Sequence, residues 1–220
     1  MKVSYYYVNL EAGSKFLVLF VEQYRPPRNM KETFKEIRRL AAPYLDTRKN
    51  DIHIDIATEF AVKLLEKEGG DEDVVVPAVI LHDVGWKRVP EELHLKAFGP
   101  RAESPELNRL HEVEGVGIAR ELLEKVNYDK EKTEEILRII DGHDSRKEAL
   151  SLNDKIVKDS DKLWRYTREG FDTDTERFSE TFQEGISRLT SSLDKWFLTD
   201  SAKEIAREEI ETRLREYEGG

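Results

Sequence analysis

From Asn29 onward the apolar residues return every three or four positions, and before it they run in β-prone blocks. Phe34, Ile37, Leu40, Ala41 and Tyr44 predict a first helix, with Pro43 marking its approaching end and Asn29 with Glu32 as a capping pair. The polar turn Asp46 to Asp51 leads into a second helix, capped by Asn50 or Asp51 and stopped by Gly69-Gly70. Ile52, Ile56, Phe60 and Leu64 form its stripe, and His53 falls in its first turn at the edge of that stripe. The uninterrupted run Val74 to Leu81 carries three valines, which favour a strand, and Pro77, which a helix tolerates only near its start. We assign it to a buried helix capped by Asp73 and ending near Gly85. An irregular loop over 86–104 follows, then a helix opened by Ser104-Pro105 and reaching Val126. Gly115 and Gly117 weaken that helix and also let another element approach it closely. Further helices are predicted from Lys130 to Ile140, from Ser151 onward, from about Glu176 to Leu193, and after an aromatic break at Trp196 to Leu198, the last capped at Ser201.

Residues 1–25 follow a different period. Val3 to Leu10 and Phe16 to Glu22 are rich in Tyr, Phe and Val and are separated by a five-residue loop containing Gly13, the pattern of a β-hairpin. The expected fold is therefore all-α, a helical bundle over 29–220 with a short N-terminal β-hairpin appendage over 1–28. Phe16 to Val21 is continuously apolar and needs a cover, either the helical core or a second subunit, which makes a homodimer one of the two expectations.

Composition narrows the function classes. With 36 basic and 46 acidic residues the formal charge is −10, which argues against a general nucleic-acid binder. A small phosphorylated substrate stays open, because local cations and a bound metal outweigh the global field. There is no cysteine, so thiolate chemistry and disulfides are excluded. No apolar run is long enough for a membrane span, and the first residues lack a signal-peptide pattern, so a cytoplasmic protein without a membrane partner is expected.

The candidate chemistry centres on His82-Asp83, directly after the apolar run. Buried there, the pair is either a core hydrogen bond or part of a cation site, since an unpartnered buried carboxylate costs several kcal/mol. The other histidines favour the second reading. His53 lies 29 residues before His82 and His111 lies 29 after it; His143 follows 32 later and Asp161 another 18 beyond. This series, together with Leu81-His82-Asp83-Val84-Gly85-Trp86 and Lys158 to Trp164, resembles the HD superfamily of metal-dependent phosphohydrolases, over about residues 30–215. Thr199 to Arg207 is similar to the tail of that superfamily's small soluble hydrolases.

The resemblance implies that His53, His82, Asp83 and Asp161 hold one divalent ion, with His82 and Asp83 at the catalytic centre. Such a mixed nitrogen and oxygen set suits Mn, Fe, Co, Ni or Zn, and with more waters Mg. His111 and His143 would hold a second ion or contact phosphate. Arg48, five residues before His53, is a candidate phosphate clamp through its bidentate fork. Trp86 stands where many relatives have Lys, which shifts that phosphate contact to Lys87. His94 falls outside the series. The Glu-Asp pair of guanosine tetraphosphate hydrolases and the Gly-Tyr-Pro signature of cyclic dinucleotide phosphodiesterases are both missing, which argues against those substrates. The implied activity is hydrolysis of a small phosphate ester or anhydride, a nucleotide first among them. The alternative is a non-catalytic nucleotide-binding or regulatory protein on the same fold.

Overall fold

The run Val74 to Leu81 is helical, and all eight of its side chains are buried. The computed structural model describes residues 4–9, 15–20, 30–97 and 103–219, and divides into two units, Met1–Met30 and Lys31–Gly220. The second unit is built of α1 (Glu32–Leu45), α2 (Asn50–Glu68), α3 (Glu72–Leu81), a one-turn α4 (His94–Ala97), α5 (Pro105–Lys125), α6 (Lys130–Ile140), α7 (Leu152–Leu163), α8 (Arg168–Phe178), α9 (Phe182–Trp196) and α10 (Asp200–Glu218). Helix α3 is the axis: α1, α2, α6 and α7 all pack on it.

The fold is all-helical, and the expectation of a β-hairpin appendage is corrected: no strand occurs in residues 30–97 or 103–219. Ser4–Asn9 and Lys15–Phe20 pair antiparallel, Tyr5 opposite Leu19 and Tyr7 opposite Leu17, within the first unit. The loop at 10–14 and the side chains of Phe16 to Val21 lie outside the described residues, and with them the expected homodimer edge. So does Asn29 of the expected capping pair; α1 starts at Glu32 with Lys31 before it.

Local chemistry moves several boundaries. Helix α3 is capped by Asp71, whose carboxylate accepts from Asp73 N, rather than by Asp73, and it ends at Leu81. Pro77 therefore lies deeper than expected and cannot donate to the carbonyl of Asp73. That carbonyl instead accepts from the Tyr128 hydroxyl at 2.7 Å, which replaces the hydrogen bond that an interior proline forfeits. Helix α2 turns inward through His53, Ile54, Ala57, Phe60, Ala61 and Leu64, one residue round from the expected stripe, while Ile52 and Ile56 are only half-buried. The expected single helix around 176–193 is two. Ser179 takes a left-handed backbone (φ 55°), and Thr181 with Glu184 forms a capping box that opens α9. Thr199, not Ser201, caps α10. The loop expected at 86–104 contains 3-10 turns at Val84–Arg88 and Glu91–Leu93 and the turn of α4.

The close approach expected of the α5 glycines is made by Gly85. A Cβ there would lie 1.8 Å from the His111 carbonyl oxygen and 2.5 Å from Gly115 N, so the turn after Asp83 presses on the α5 backbone. At Gly115 an added Cβ meets nothing nearer than 3.5 Å, and at Gly117, which faces solvent, nothing within 4 Å. Gly85→Ala should lower stability by about 1–3 kcal/mol, because backbone must move. Gly117→Ala should raise it by about 1 kcal/mol through helix propensity. Urea unfolding of both variants gives the two signs; a neutral Gly85→Ala would contradict the contact.

Candidate metal centre

Five elements deliver the chemistry-bearing side chains to one buried place. His53 comes from the first turn of α2, His82 and Asp83 from the end of α3, His111 from the second turn of α5, His143 from the turn after α6, and Asp161 from α7. All six are buried. His53 Nε2 is 3.1 Å from Asp161 Oδ1, and its Nδ1 is 3.5 Å from Asp83 Oδ2. His82 Nε2 lies 3.4 Å from Asp161 Oδ1 and 3.7 Å from Asp83 Oδ1. His111 and His143 each bring Nε2 to 3.6 Å from Asp83 Oδ1 and stand 3.2 Å from one another.

The backbone sets which ring nitrogen faces inward. His82 Nδ1 lies 2.8 Å from the Val79 carbonyl and His143 Nδ1 lies 3.0 Å from the Ile140 carbonyl. A carbonyl can only accept, so both Nδ1 atoms carry the proton, and in the neutral rings Nε2 points a lone pair at the carboxylates. His82 Nε2 has no hydrogen-bond partner although the residue is fully buried. An acceptor nitrogen facing two acceptor oxygens is stable only around positive charge. The histidines respond accordingly. Although burial opposes its charged form, hydrogen bonds to Asp161 and Asp83 hold His53 above its ordinary value. His143 is pushed up to about 9 against burial by Asp83 and Asp144. His111 goes the other way, to about 4, because of burial and the neighbouring His143. Asp83 and Asp161 stay well below the usual carboxylate range despite burial, through surrounding cations and imidazoles.

Three donor sets emerge: His53, His82 and Asp161; His82, Asp83 and His143; and His111, His143 and Asp144. The donor chemistry fits a divalent ion, since each set offers two imidazoles and one carboxylate. Asp144 was not singled out from the sequence, though Gly142-His143-Asp144 repeats the His-Asp dipeptide. Lys162, adjacent to Asp161, bridges Asp144 Oδ1 and Asp161 Oδ2 at 2.6 Å each. Two tryptophans shape the walls: His53 stacks on Trp164 (4.8 Å between centroids) and His111 on Trp86 (4.2 Å). Trp86 Nε1 donates to Asp83 Oδ1 at 3.0 Å, fixing that carboxylate.

The expected substrate contacts divide. Arg48, half-buried with a left-handed backbone (φ 57°), lays its guanidinium 4.1 Å from the Trp86 ring. Burial lowers its pKa to about 10, which still leaves it charged at neutral pH. Lys87 is on the surface in an ion pair with Asp46 at 2.5 Å. His94 is buried beside Trp86 and bonds the Val89 carbonyl.

Two buried charges that the sequence did not single out hold the turn of His143 in place. Glu112, next to His111, accepts from Asp144 N, Ser145 N, Ser145 Oγ and Arg109. Lys158 donates to the carbonyls of Gly142, His143 and Arg146.

A model of the family described as the HD domain matches residues 51–166, which takes in His53, His82, Asp83, His111, His143 and Asp161. Among solved structures, a predicted HD superfamily hydrolase from an uncultured Thermotogales bacterium is similar to 84% of this chain and 88% of its own, with 19% identity and a TM-score of 0.56. Selenomethionine YpgQ of Bacillus subtilis is similar over 85% of this chain and 91% of its own, with 21% identity and a TM-score of 0.58. At these identities the likeness is one of fold. No curated protein matches the chain. Among the described residues, no helix is long and apolar enough to cross a membrane.

Glu112→Gln tests the support of the His143 turn. The amide keeps one acceptor oxygen and loses the charge that three donors share with Arg109, so unfolding free energy should fall by about 1.5–3 kcal/mol. A change under about 0.5 kcal/mol in a denaturant titration would show that the turn holds without it.

Proposed function

Since the chain belongs to the HD domain family, we propose that it is a metal-dependent phosphohydrolase cleaving a small phosphate ester or anhydride, with a nucleotide as the first substrate class to test. The observation that supports this most is His82 Nε2, buried without a partner, tethered through Nδ1 to Val79 and aimed at Asp83 and Asp161. His53, His82, Asp83 and Asp161 would hold the ion. When bound, a divalent cation supplies a Lewis acid for a phosphoryl oxygen and a water of lowered pKa.

The protein's own residues do the rest. Val79 and the α3 helix fix the ring of His82, and Trp86 fixes Asp83, so the ligands need little reorganisation. Trp86 and Trp164 keep bulk water from the histidine faces, which strengthens each electrostatic contact inside. His111, His143 and Asp144 offer a second donor set, or in protonated form a hydrogen bond to phosphate. Arg48, held flat on Trp86, would bind a phosphate oxygen with its fork. Lys87 would reach a phosphate only by giving up Asp46.

Elemental analysis should find metal in the wild type and a large loss in His82→Ala. Asp83→Asn should keep its helical signal and lose turnover by on the order of a hundredfold or more, beyond the ten- to hundredfold typical of outer partners. Equal, negligible metal in wild type and His82→Ala would end the reading, and undiminished turnover in Asp83→Asn would place catalysis elsewhere.

Arg48→Ala should leave metal content unchanged and lower kcat/KM by about ten- to a hundredfold, with Arg48→Lys recovering only part. Unchanged kinetics in both variants would reduce Arg48 to a stacking residue.

A further inference from the structure

The donor atoms are arranged as a pair of ions would need them. His53, His82 and Asp161 form one set and His111, His143 and Asp144 another, with Asp83 between them. Asp83 Oδ1 is 3.7 Å from His82 Nε2 and 3.6 Å from both His111 Nε2 and His143 Nε2. Paired ions in phosphoryl-transfer sites stand about 3.5–4 Å apart. Each ion of such a pair would need a carboxylate of its own, Asp161 on one side and Asp144 on the other.

Lys162 is bonded to both. Its ammonium donates to Asp161 Oδ2 and to Asp144 Oδ1 at 2.6 Å each. The two contacts differ in consequence. Asp161 gives one oxygen to Lys162 and keeps Oδ1 at 3.1 Å from His53 Nε2 and 3.4 Å from His82 Nε2, so the first set is complete with the ammonium in place. Asp144 is the one carboxylate of the other set, and its Oδ2 stands 3.9 Å from His143 Nε2. The ammonium is therefore within bonding distance of Asp144, and His143 is not.

Both ends of this bridge are anchored. Asp144 sits in the turn that Glu112 holds, its backbone N donating to Glu112 Oε1 at 2.9 Å, and Lys162 lies in the last turn of α7. Its side chain is mostly enclosed, as are both carboxylates. Withdrawing an ammonium from two such carboxylates leaves them uncompensated, which is costly away from bulk water. A second divalent ion on His111, His143 and Asp144 would have to take the oxygen that Lys162 holds or stand beside its charge, where like charges repel.

We propose that Lys162 is a built-in cation that fills the second donor set and restricts this centre to one divalent ion. The inference rests on the metal-dependent reading of the centre, and it decides between the two roles given to His111 and His143: they face the substrate rather than an ion.

Manganese is the probe. Stoichiometry is read by calorimetry and by elemental analysis after dialysis. Electron paramagnetic resonance reports spacing, since an isolated Mn(II) gives a resolved hyperfine pattern and a close pair an exchange-coupled one. Wild type should bind one ion per chain, and Lys162→Arg, which keeps the charge, should do the same. Lys162→Gln should bind two and show the coupled spectrum, and Asp144→Asn added to Lys162→Gln should return it to one. Two ions in the wild type, or one in Lys162→Gln with its helical signal kept, overturns the proposal; the wild-type spectrum does so without any substitution. Turnover of a nucleotide panel separates the two readings. One ion in every variant with turnover intact removes the role of Lys162 alone. One ion in the wild type and two in Lys162→Gln, without turnover in either, keeps that role and removes the hydrolase. No ion in the wild type ends both.

Discussion

Two aspartates enclosed in the helical interior, with a third beside them at its edge, are the constraint on which this structure turns. Asp83 and Asp161 are almost wholly enclosed, and Asp144 joins them through Lys162. Bringing ionised carboxylates out of water costs several kcal/mol each unless cations and hydrogen-bond donors compensate. The surroundings supply both. Indole, ammonium and imidazole nitrogens ring the oxygens; backbone carbonyls orient the rings of His82 and His143, and stacked indoles those of His53 and His111. The cluster is therefore a fixed negative pocket with its donor atoms already turned inward, an arrangement whose natural complement is a small multivalent cation.

That arrangement depends on parts with no chemistry of their own. Helix α3 has to be apolar on every side because four helices pack on it, and its end is where the His-Asp pair emerges. The turn after Asp83 can press against α5 only because residue 85 has no side chain, and this contact is what brings His111 to Asp83. Asp159, two residues before Asp161, accepts from the backbone of Leu198 and Thr199 and from the Thr199 hydroxyl. It ties α7 to the start of α10, so the helix that carries Asp161 is braced at its back.

Much of this was legible in the sequence where the signal is local or ordered. The bounds of α6, the Ser151 cap of α7, the buried nature of residues 74–81 and the order of the histidines all follow from spacing and residue type. The departures have physical reasons. A capping box at Thr181 and a left-handed Ser179 cut one amphipathic pattern into two helices without interrupting its apolar stripe. The buried face of α2 keeps Phe60 and Leu64 of the expected stripe and takes in Thr58, a polar residue that an apolar pattern does not mark. Glu112 and Lys158 are not legible in the sequence because a charged residue in a charged-rich chain carries no mark of burial; only the fold shows which charges are enclosed.

Pro77 and Tyr128 carry a consequence for how the chain assembles. With the Asp73 carbonyl unable to find its partner within α3, the central helix has an incomplete ladder by itself, and in a partly folded chain that position belongs to water. The missing rung is supplied by a hydroxyl from the α5–α6 turn, 55 residues downstream. Helix α3 and the α5–α6 turn thus reach their final hydrogen bonding together or not at all. The His-Asp pair at one end of α3 and the tyrosine docked near the other are thereby joined through one helix.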